Sequence, residues 1–137
     1  MTETSGRCLC GDVTYQYSGP ENWSGHCHCE SCRRNCSAAM VSFFGVPRAA
    51  YSFTGVAPGV YESSPGVRRL FCQRCGTPMA YDADRFKHEI HFYAASLDDP
   101  ENYAPEFHVR CEEQLTWVNV ADDLPKYDKG VVRKASD

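Results

Sequence analysis

The sequence predicts a mostly β protein with one or two short helices. Two observations support this prediction. Strand-like segments follow one another at close spacing between turns that contain Gly or Pro, and helical periodicity is almost absent. The length of 137 residues, with 42% apolar and 12% aromatic residues, is typical of one globular domain. We therefore expect a single domain with a β core.

The individual strands are predicted from alternation and from the turns that end them. Val13, Tyr15 and Tyr17 alternate with polar residues, and Gly19-Pro20 follows them. A second clear alternation runs through residues 88–95, with Ile90, Phe92 and Ala94 on one face. The predicted strands are residues 12–17, 38–44, 51–54, 60–64, 67–71, 78–81, 88–95 and 115–120.

The remaining segments are predicted to be connections, helical turns and a tail. Residues 21–25 are expected to lead into a cysteine-rich stretch, and residues 30–35 suit helical turns capped by Ser31. Residues 82–87 are expected to form a loop and residues 126–137 a frayed polar tail. The aromatic residues expected in the core are Phe43, Phe44, Phe53, Phe71, Phe92 and Trp117.

Charge and hydropathy exclude two classes of partner. The net charge of −4 and the absence of any basic run longer than two residues argue against nucleic-acid binding. No segment approaches the length of apolar sequence that a membrane span requires, and the first residues contain no apolar stretch typical of a signal peptide. We expect a cytoplasmic protein that binds neither nucleic acid nor membranes.

The nine cysteines are the most informative feature of the chain. A secreted disulfide scaffold normally has an even number of cysteines and a signal peptide, and this chain has neither. Eight of the cysteines instead fall into three groups, and seven of those have spacings typical of metal ligands. The sequence therefore favours zinc sites over disulfides.

The first and third groups suit one closed zinc site. Cys72 and Cys75 have the spacing of a zinc knuckle, and Gly76 after them can adopt a positive φ that directs backbone N–H groups at the sulfurs. Cys8 and Cys10 supply half a tetrahedron, so the two pairs together predict a structural site with four thiolates. The alternative is that they are two unrelated pairs of buried thiols.

The central group predicts a different kind of site. Cys27, Cys29 and Cys32 offer three thiolates, and three protein ligands with an open fourth position are typical of a catalytic zinc. If the segment is helical, Cys36 lies on the same face as Cys32 and could close the site. The sequence leaves these two arrangements open and predicts two zinc ions per chain in either case.

Several motifs together carry a resemblance to a known family. The motifs are Gly6-Arg7-Cys8-Leu9-Cys10-Gly11, Cys27-His28-Cys29-Glu30-Ser31-Cys32-Arg33-Arg34, Phe71-Cys72-Gln73-Arg74-Cys75-Gly76-Thr77-Pro78, Ser96-Leu97-Asp98-Asp99-Pro100 and Asp122-Asp123-Leu124-Pro125. In this order they resemble the glutathione-dependent formaldehyde-activating enzyme family, which shares its domain with centromere protein V. The resemblance covers residues 5–127 and leaves residues 128–137 as a polar tail.

This resemblance implies a fold, a ligand set and an activity. The fold would be a Mss4-like zinc-binding β-sandwich of short antiparallel strands. The structural zinc would be held by Cys8, Cys10, Cys72 and Cys75, and the second, catalytic zinc by Cys27, Cys29 and Cys32. The implied activity is that of a carbon–sulfur lyase, which joins a small thiol such as glutathione to an aldehyde such as formaldehyde as S-hydroxymethylglutathione, or splits that adduct. The chain departs from the family pattern at Cys36-Ser37 and at Cys111.

A few further residues have two readings each. Arg33 and Arg34 could bind the carboxylates of an acidic thiol, although neighbouring helical residues point in different directions. His28 could carry protons near the open zinc position, or it could point outward into solvent. The other isolated histidines, His88, His91 and His108, are expected to be packed or surface residues. The rival function is a non-enzymatic zinc-stabilised binding module, which a site closed by Cys36 would favour.

Overall fold

The computed structural model describes residues 3–131 and confirms a mostly β fold. In chain order the elements are β1 Glu3–Arg7, β2 Thr14–Ser18, β3 Trp23–Cys27, α1 Glu30–Cys36, β4 Val41–Pro47, β5 Tyr51–Phe53, β6 Gly59–Ser64, β7 Val67–Phe71, β8 Pro78–Ala83, β9 Glu89–Tyr93 and β10 His108–Val109. Short 3-10 helices span Arg48–Ala50, Ala94–Ser96, Pro100–Asn102 and Cys111–Glu113. None of the described helices is long and apolar enough to cross a membrane.

The strands form two sheets that pack face to face. The smaller sheet has the order β1-β2-β5, and the larger has the order β10-β3-β4-β9-β8-β7-β6. All strand pairs are antiparallel except that of β10 with β3, which is parallel. The larger sheet is therefore mixed.

Alternation along the strands gives the larger sheet two apolar faces. Phe44 and Phe92 point toward the smaller sheet, where the Tyr15 ring stacks on Phe92 at a centroid distance of 4.2 Å. Their chain neighbours Phe43 and Tyr93 point the other way and belong to a second apolar cluster that includes residues of α1 and β10. Because a strand directs successive side chains to opposite faces, each face has its own core.

The strand predicted around Trp117 is absent, and this prediction is wrong. Residues 115–120 form a turn and irregular chain, and the Trp117 side chain is 73% exposed. These residues pair with none of the strands within residues 3–131. The other aromatic residues expected in the core behave differently. Phe43, Phe44 and Phe92 are buried, while Phe53 and Phe71 are partly buried.

Three of the observed strands were not predicted, and one of them overlaps a segment that was predicted to be a connection. Residues 23–27 form β3 inside the larger sheet rather than a linker, and β1 and β10 lie outside every predicted strand. The strand predicted at residues 38–44 is observed at Val41–Pro47. Helix α1 is confirmed, but its N-cap is Cys29, whose Sγ accepts a hydrogen bond from the Cys32 N–H, and not Ser31.

The predicted frayed tail is ordered where it begins. The Tyr127 N–H donates to the His108 carbonyl, the Cys111 N–H to Tyr127 and the Arg110 N–H to Lys129, at 2.9, 3.0 and 2.8 Å. These bonds hold residues 126–129 against β10 and the segment after it. The rest of the predicted tail, residues 132–137, lies outside the described residues.

Candidate metal centres and the adjoining cavity

The fold brings the first and third cysteine groups together. The Sγ atoms of Cys8, Cys10, Cys72 and Cys75 all lie within 4.8 Å of one another. The Cys8–Cys10 sulfur distance is 3.6 Å and the Cys10–Cys72 distance is 3.7 Å. Strand β1 ends directly before the first pair and β7 directly before the second, so the two sheets present both pairs at one point. The grouping predicted from the two motifs is thus the one that the structure has.

The surroundings of this group suit thiolates. Backbone N–H groups of Val13, Arg74 and Cys75 point at the buried sulfurs of Cys8 and Cys72 over 3.2–3.4 Å. Gly11 and Gly76 have positive φ values of 88° and 81°, as expected for the tight turns that follow each pair. Hydrogen bonds from Thr77 lower the pKa of Cys75 to about 5. Four sulfurs at this spacing with N–H donors fit a tetrahedral zinc ion.

The second group of sulfurs comes from three adjoining elements. Cys27 ends β3, Cys29 caps α1 and Cys32 lies in its first turn, and their Sγ atoms are within 4.8 Å of one another. Hydrogen bonds from the Cys27 and Cys32 thiols lower the pKa of Cys29 to about 2, and the bonds that Cys27 makes raise its own pKa. Metal binding requires all three sulfurs as thiolates, and a divalent cation here would stabilise that form.

Cys36 does not belong to this group of mutually close sulfurs. Its Sγ accepts a weak hydrogen bond from the Asn35 amide at 3.7 Å, and burial raises its pKa. The side chain lines a separate cavity of 570 Å³ together with Met40 and Tyr93. The donor set of the central group is therefore three thiols, which fits a zinc ion with a fourth position open to a ligand.

A cavity of 780 Å³ adjoins the central sulfurs and is lined by Cys27, Cys29 and Cys32. Its floor is a row of side chains that runs across neighbouring strands of the larger sheet. Arg69 of β7 pairs with Tyr81 of β8, which pairs with His91 of β9. Aromatic rings of Trp23, Phe43, Phe86 and Phe107 complete the walls. The pocket combines apolar walls with a few polar groups, as small-molecule sites do.

Arg69 is the polar residue that approaches the central sulfurs most directly. It is only 7% exposed, and its Nη1 lies 3.7 Å from Cys32 Sγ and 3.5 Å from the Tyr93 hydroxyl. Its guanidinium also stacks over the Tyr81 ring at 4.8 Å. The sequence left the direction of Arg69 open. The neighbouring Leu70 is buried in the opposite core, and that neighbour was the only signal that Arg69 faces the other way.

The arginines proposed from the sequence lie elsewhere. Arg33 donates from Nε to the His28 carbonyl at 3.0 Å, and Arg34 forms an exposed ion pair with Glu30. Neither residue lines the cavity, whereas Arg69, Arg85 and Arg110 do. Within residues 3–131, those three arginines form no ion pair with a carboxylate. The cavity thus contains three guanidinium groups without an ion-pair partner among the described residues, together with one carboxylate, that of Glu113, which accepts the Glu30 N–H.

A group of histidines lies behind the central sulfurs. His28 is fully buried rather than solvated, and its Nε2 lies 2.9 Å from Nδ1 of His108. Burial lowers the pKa of His28 and of His26, which keeps both rings neutral. His91 is also buried and contacts Glu89 through Nε2 at 2.6 Å, whereas His88 is exposed. The expectation that His88, His91 and His108 are packed or surface residues is met.

The fold and the two sulfur groups define a class of protein, a small β-sandwich with two candidate zinc centres of which one adjoins a cavity. Within that class the chain belongs to the glutathione-dependent formaldehyde-activating enzyme family, whose model matches residues 3–113. It is 33% identical over 81 residues to an uncharacterized lyase of Schizosaccharomyces pombe. That match covers 59% of this chain and 58% of the yeast protein.

A solved structure shares the fold. The crystal structure of a Rhodobacter sphaeroides protein has a TM-score of 0.57 to this chain at 16% identity, and the match covers 90% of this chain and 98% of the bacterial one. At that level of identity the likeness supports the fold alone.

Proposed function

We propose that the protein is a zinc-dependent carbon–sulfur lyase-type enzyme that joins a small thiol to an aldehyde, or splits their adduct. With glutathione and formaldehyde the product would be S-hydroxymethylglutathione. Family membership supports this reaction class. The observation that carries it is a group of three sulfurs, rather than four, beside a cavity large enough for a small peptide. The proposed domain spans residues 5–127, with partners limited to the small-molecule thiol and aldehyde and a cytoplasmic location.

We assign metal binding to the cysteines in two sets. Cys8, Cys10, Cys72 and Cys75 would hold a structural zinc, and Cys27, Cys29 and Cys32 would hold a second zinc at the cavity. A zinc ion in the second set would supply a Lewis-acidic position at which a substrate thiol binds as thiolate, the nucleophilic form. The chain's own task is then to hold three sulfurs, offset charge, and orient both substrates.

Charge compensation is the role of Arg69 in this proposal. A divalent ion with three thiolates has one net negative charge, and a substrate thiolate would add another. The guanidinium of Arg69, 3.7 Å from Cys32 Sγ, offsets this charge from within the cavity wall. Arg33 and Arg34, the arginines nearest to these cysteines in the sequence, bond instead to the His28 carbonyl and to Glu30 and do not line the cavity.

Recognition of an acidic thiol falls to the remaining arginines of the cavity. Arg85 and Arg110 line it without a carboxylate partner among residues 3–131, so either guanidinium can bind a substrate carboxylate in a forked geometry. Arg110 also has a positive φ of 57°, an unusual backbone conformation for a non-glycine residue that directs its side chain.

The bond changes balance without any oxidant. The thiolate sulfur forms a bond to the carbonyl carbon, the π electrons move to the carbonyl oxygen, and that oxygen takes one proton. The reverse reaction breaks the same carbon–sulfur bond. Aromatic walls such as Trp23 and Phe107 exclude water from the cavity and limit competing hydration of the aldehyde.

The test is the exchange rate between free glutathione and its formaldehyde adduct, measured by NMR with and without protein. We expect acceleration that is lost in Cys29→Ser and kept in Cys111→Ser, because Cys111 lies in neither sulfur group. Unchanged exchange with both zinc ions bound would reject the reaction on this substrate pair. The rival binding module was favoured by closure of the site through Cys36, and the position of that sulfur outside the central group removes this support.

A further inference from the structure

The short segment that carries two of the central cysteines is held by the C-terminal part of the domain. We call residues 27–30 the ligand loop. The His28 N–H donates to the Val109 carbonyl at 3.1 Å, and the Glu30 N–H donates to a carboxylate oxygen of Glu113 at 3.0 Å. Arg33 donates to the His28 carbonyl at 3.0 Å. Both backbone groups of His28, between Cys27 and Cys29, are therefore fixed.

A chain of side-chain hydrogen bonds extends from this loop to a carboxylate. His28 Nε2 lies 2.9 Å from His108 Nδ1, and His108 Nε2 lies 2.8 Å from Asp122 Oδ2. Both rings are essentially inaccessible to solvent, at 0% and 1% exposure. The other oxygen of Asp122 accepts bonds from the Leu124 N–H and the Lys126 ammonium, at 3.1 and 3.2 Å.

The carboxylate determines where the protons lie along this chain. An ionised carboxylate can only accept, so Nε2 of His108 carries a proton, and in the neutral ring Nδ1 then offers its lone pair. That lone pair can accept only if His28 carries its proton on Nε2. The remaining nitrogen, His28 Nδ1, is a buried lone pair with no partner among the described residues. The hydrogen bond from His108 keeps the pKa of Asp122 well below its usual range, so the acceptor is ionised at neutral pH.

We propose that His108 and Asp122 are positioning residues for the central sulfurs. Through the chain Asp122–His108–His28 they fix the ligand loop, and so set the spacing of the Cys27 and Cys29 sulfurs and the retention of the metal. Removing an outer hydrogen-bond partner of this kind typically lowers metal affinity by roughly 10- to 100-fold. The inference concerns metal retention and does not depend on the thiol and aldehyde reaction.

The same side chains have a competing interpretation as a third metal site. Ligand atoms of His26, His108 and Asp122 lie within 4.8 Å of one another. Two contacts oppose a cation there. His108 and Asp122 already bond each other directly at 2.8 Å, and the Lys126 ammonium lies 3.2 Å from the same carboxylate. The hydrogen-bonded chain is therefore the arrangement that we favour, and metal counting distinguishes the two.

The experiment uses the zinc-loaded protein and the variant Asp122→Asn, with Asp98→Asn as the matched control. Asp98 makes a surface hydrogen bond to Ser5, does not line the cavity at the central sulfurs and takes no part in the histidine chain. Three quantities are measured: the protonated nitrogen of each buried histidine by ¹⁵N NMR, the rate of zinc transfer to a chromogenic chelator, and the melting temperature. The transfer phase that is absent in Cys29→Ser identifies the central ion.

We expect Asp122→Asn to lose the fixed Nε2–H form of His108 and His28, because an amide can donate as well as accept. Transfer of the central zinc should accelerate roughly 10-fold or more, while the other zinc is retained. His108→Gln should show the same selective acceleration, which keeps the test decisive if the first variant folds poorly. The control should match the wild type in all three measurements.

Three results would overturn the proposal. The first is an unchanged transfer rate of the central zinc despite altered histidine protonation. The second is an equal acceleration for both ions in step with a fall in melting temperature. The third is a third zinc ion per wild-type chain that Asp122→Asn removes, which would make these residues ligands.

Discussion

The two sulfur groups should contribute very differently to stability, and Cys72→Ser against Cys29→Ser tests this. The first group joins positions 62 residues apart in the chain, Cys10 and Cys72, whereas the central group spans only residues 27–32. Closing the longer loop costs about 2 kcal/mol more in chain entropy than closing the shorter one. A structural zinc adds on the order of 10 kcal/mol of binding free energy to the folded state.

The local contacts of Cys72 and Cys29 also predict a larger loss of stability for Cys72→Ser. Cys72 is buried, and its sulfur accepts two backbone N–H groups at 3.4 Å that the shorter serine side chain would meet poorly. Cys29 caps α1, and serine is itself a favourable N-cap residue, so the helix start survives the substitution. We expect a loss of roughly 5 kcal/mol or more for Cys72→Ser and less than about 2 kcal/mol for Cys29→Ser.

The assay is urea unfolding of zinc-loaded protein, followed by circular dichroism, with the zinc content of each variant measured on the same sample. Cys111→Ser is the control for the loss of a thiol outside both groups. Equal losses for Cys72→Ser and Cys29→Ser at matched zinc content would refute the division into a structural and a functional site.

Two further predictions concern the central sulfur group and the carboxylate of Glu89. With Co²⁺ in place of zinc, the central site should give the absorption of three sulfur ligands, change on addition of glutathione, and be unaffected by Cys36→Ser; a four-sulfur spectrum that loses one ligand in this variant would show a closed site. Glu89→Gln should destabilise the fold at pH 7 by about 1–3 kcal/mol in urea unfolding, because this carboxylate accepts bonds from Trp23 and His91. Burial raises the pKa of Glu89, but these bonds outweigh it and lower the pKa from 4.5 to about 2, so the carboxylate's stabilisation is complete above pH 4.5 and is lost as the pH falls toward 2. If the difference in unfolding free energy between the wild type and Glu89→Gln increased as the pH was lowered, this prediction would be contradicted.

The sulfur groups could be predicted because each cysteine pair is defined by a short local motif. A CxxC or CxC motif fixes the spacing of its own two sulfurs, and two incomplete pairs require a partner, so their meeting in space follows from ligand number. Of the three strands that end at these cysteines, β1, β3 and β7, only β7 was predicted, whereas β2 and β9, which carry no cysteine, were predicted from their alternation. In β2 the buried Tyr15 and Tyr17 alternate with less buried polar residues, whereas β9 alternates between two cores and is buried on both faces.

The strand β3 could not be predicted from alternation. Its sequence, Trp-Ser-Gly-His-Cys, has buried residues on both faces, including the polar Ser24 and His26. His26 is satisfied by Ser42 across the sheet at 2.8 Å, and such a polar pair hides the apolar pattern of a buried strand. The segment around Trp117 fails in the opposite way, because its apolar residues suggested a strand but it pairs with no strand of the described residues.

The cavity could not be predicted because no single segment contains it. Arg69, Tyr81 and His91 form one row only through the register of three strands, and a shift of one residue in any pair would turn that side chain into the other core. The sequence therefore identified ligands but assigned the accompanying positive charge to the nearest arginines along the chain, Arg33 and Arg34.

The separation of Cys36 from the three central sulfurs is a matter of the geometry of α1. A spacing of four residues on a helix puts Cys36 on the side of Cys32, but about 6 Å farther along the axis. Sulfurs that share a zinc ion lie within about 4 Å of one another, since each is about 2.3 Å from the metal. Cys29 avoids this separation because it is the N-cap, where the chain turns back toward the first helical turn and its sulfur accepts the Cys32 N–H. In the observed α1 the Cys32 sulfur lies in the central group and the Cys36 sulfur does not, although a spacing of four residues on a helix can place two ligands on one metal ion. The three-sulfur group on which the proposed reaction rests therefore follows from side-chain positions in the fold, which the spacing alone does not determine.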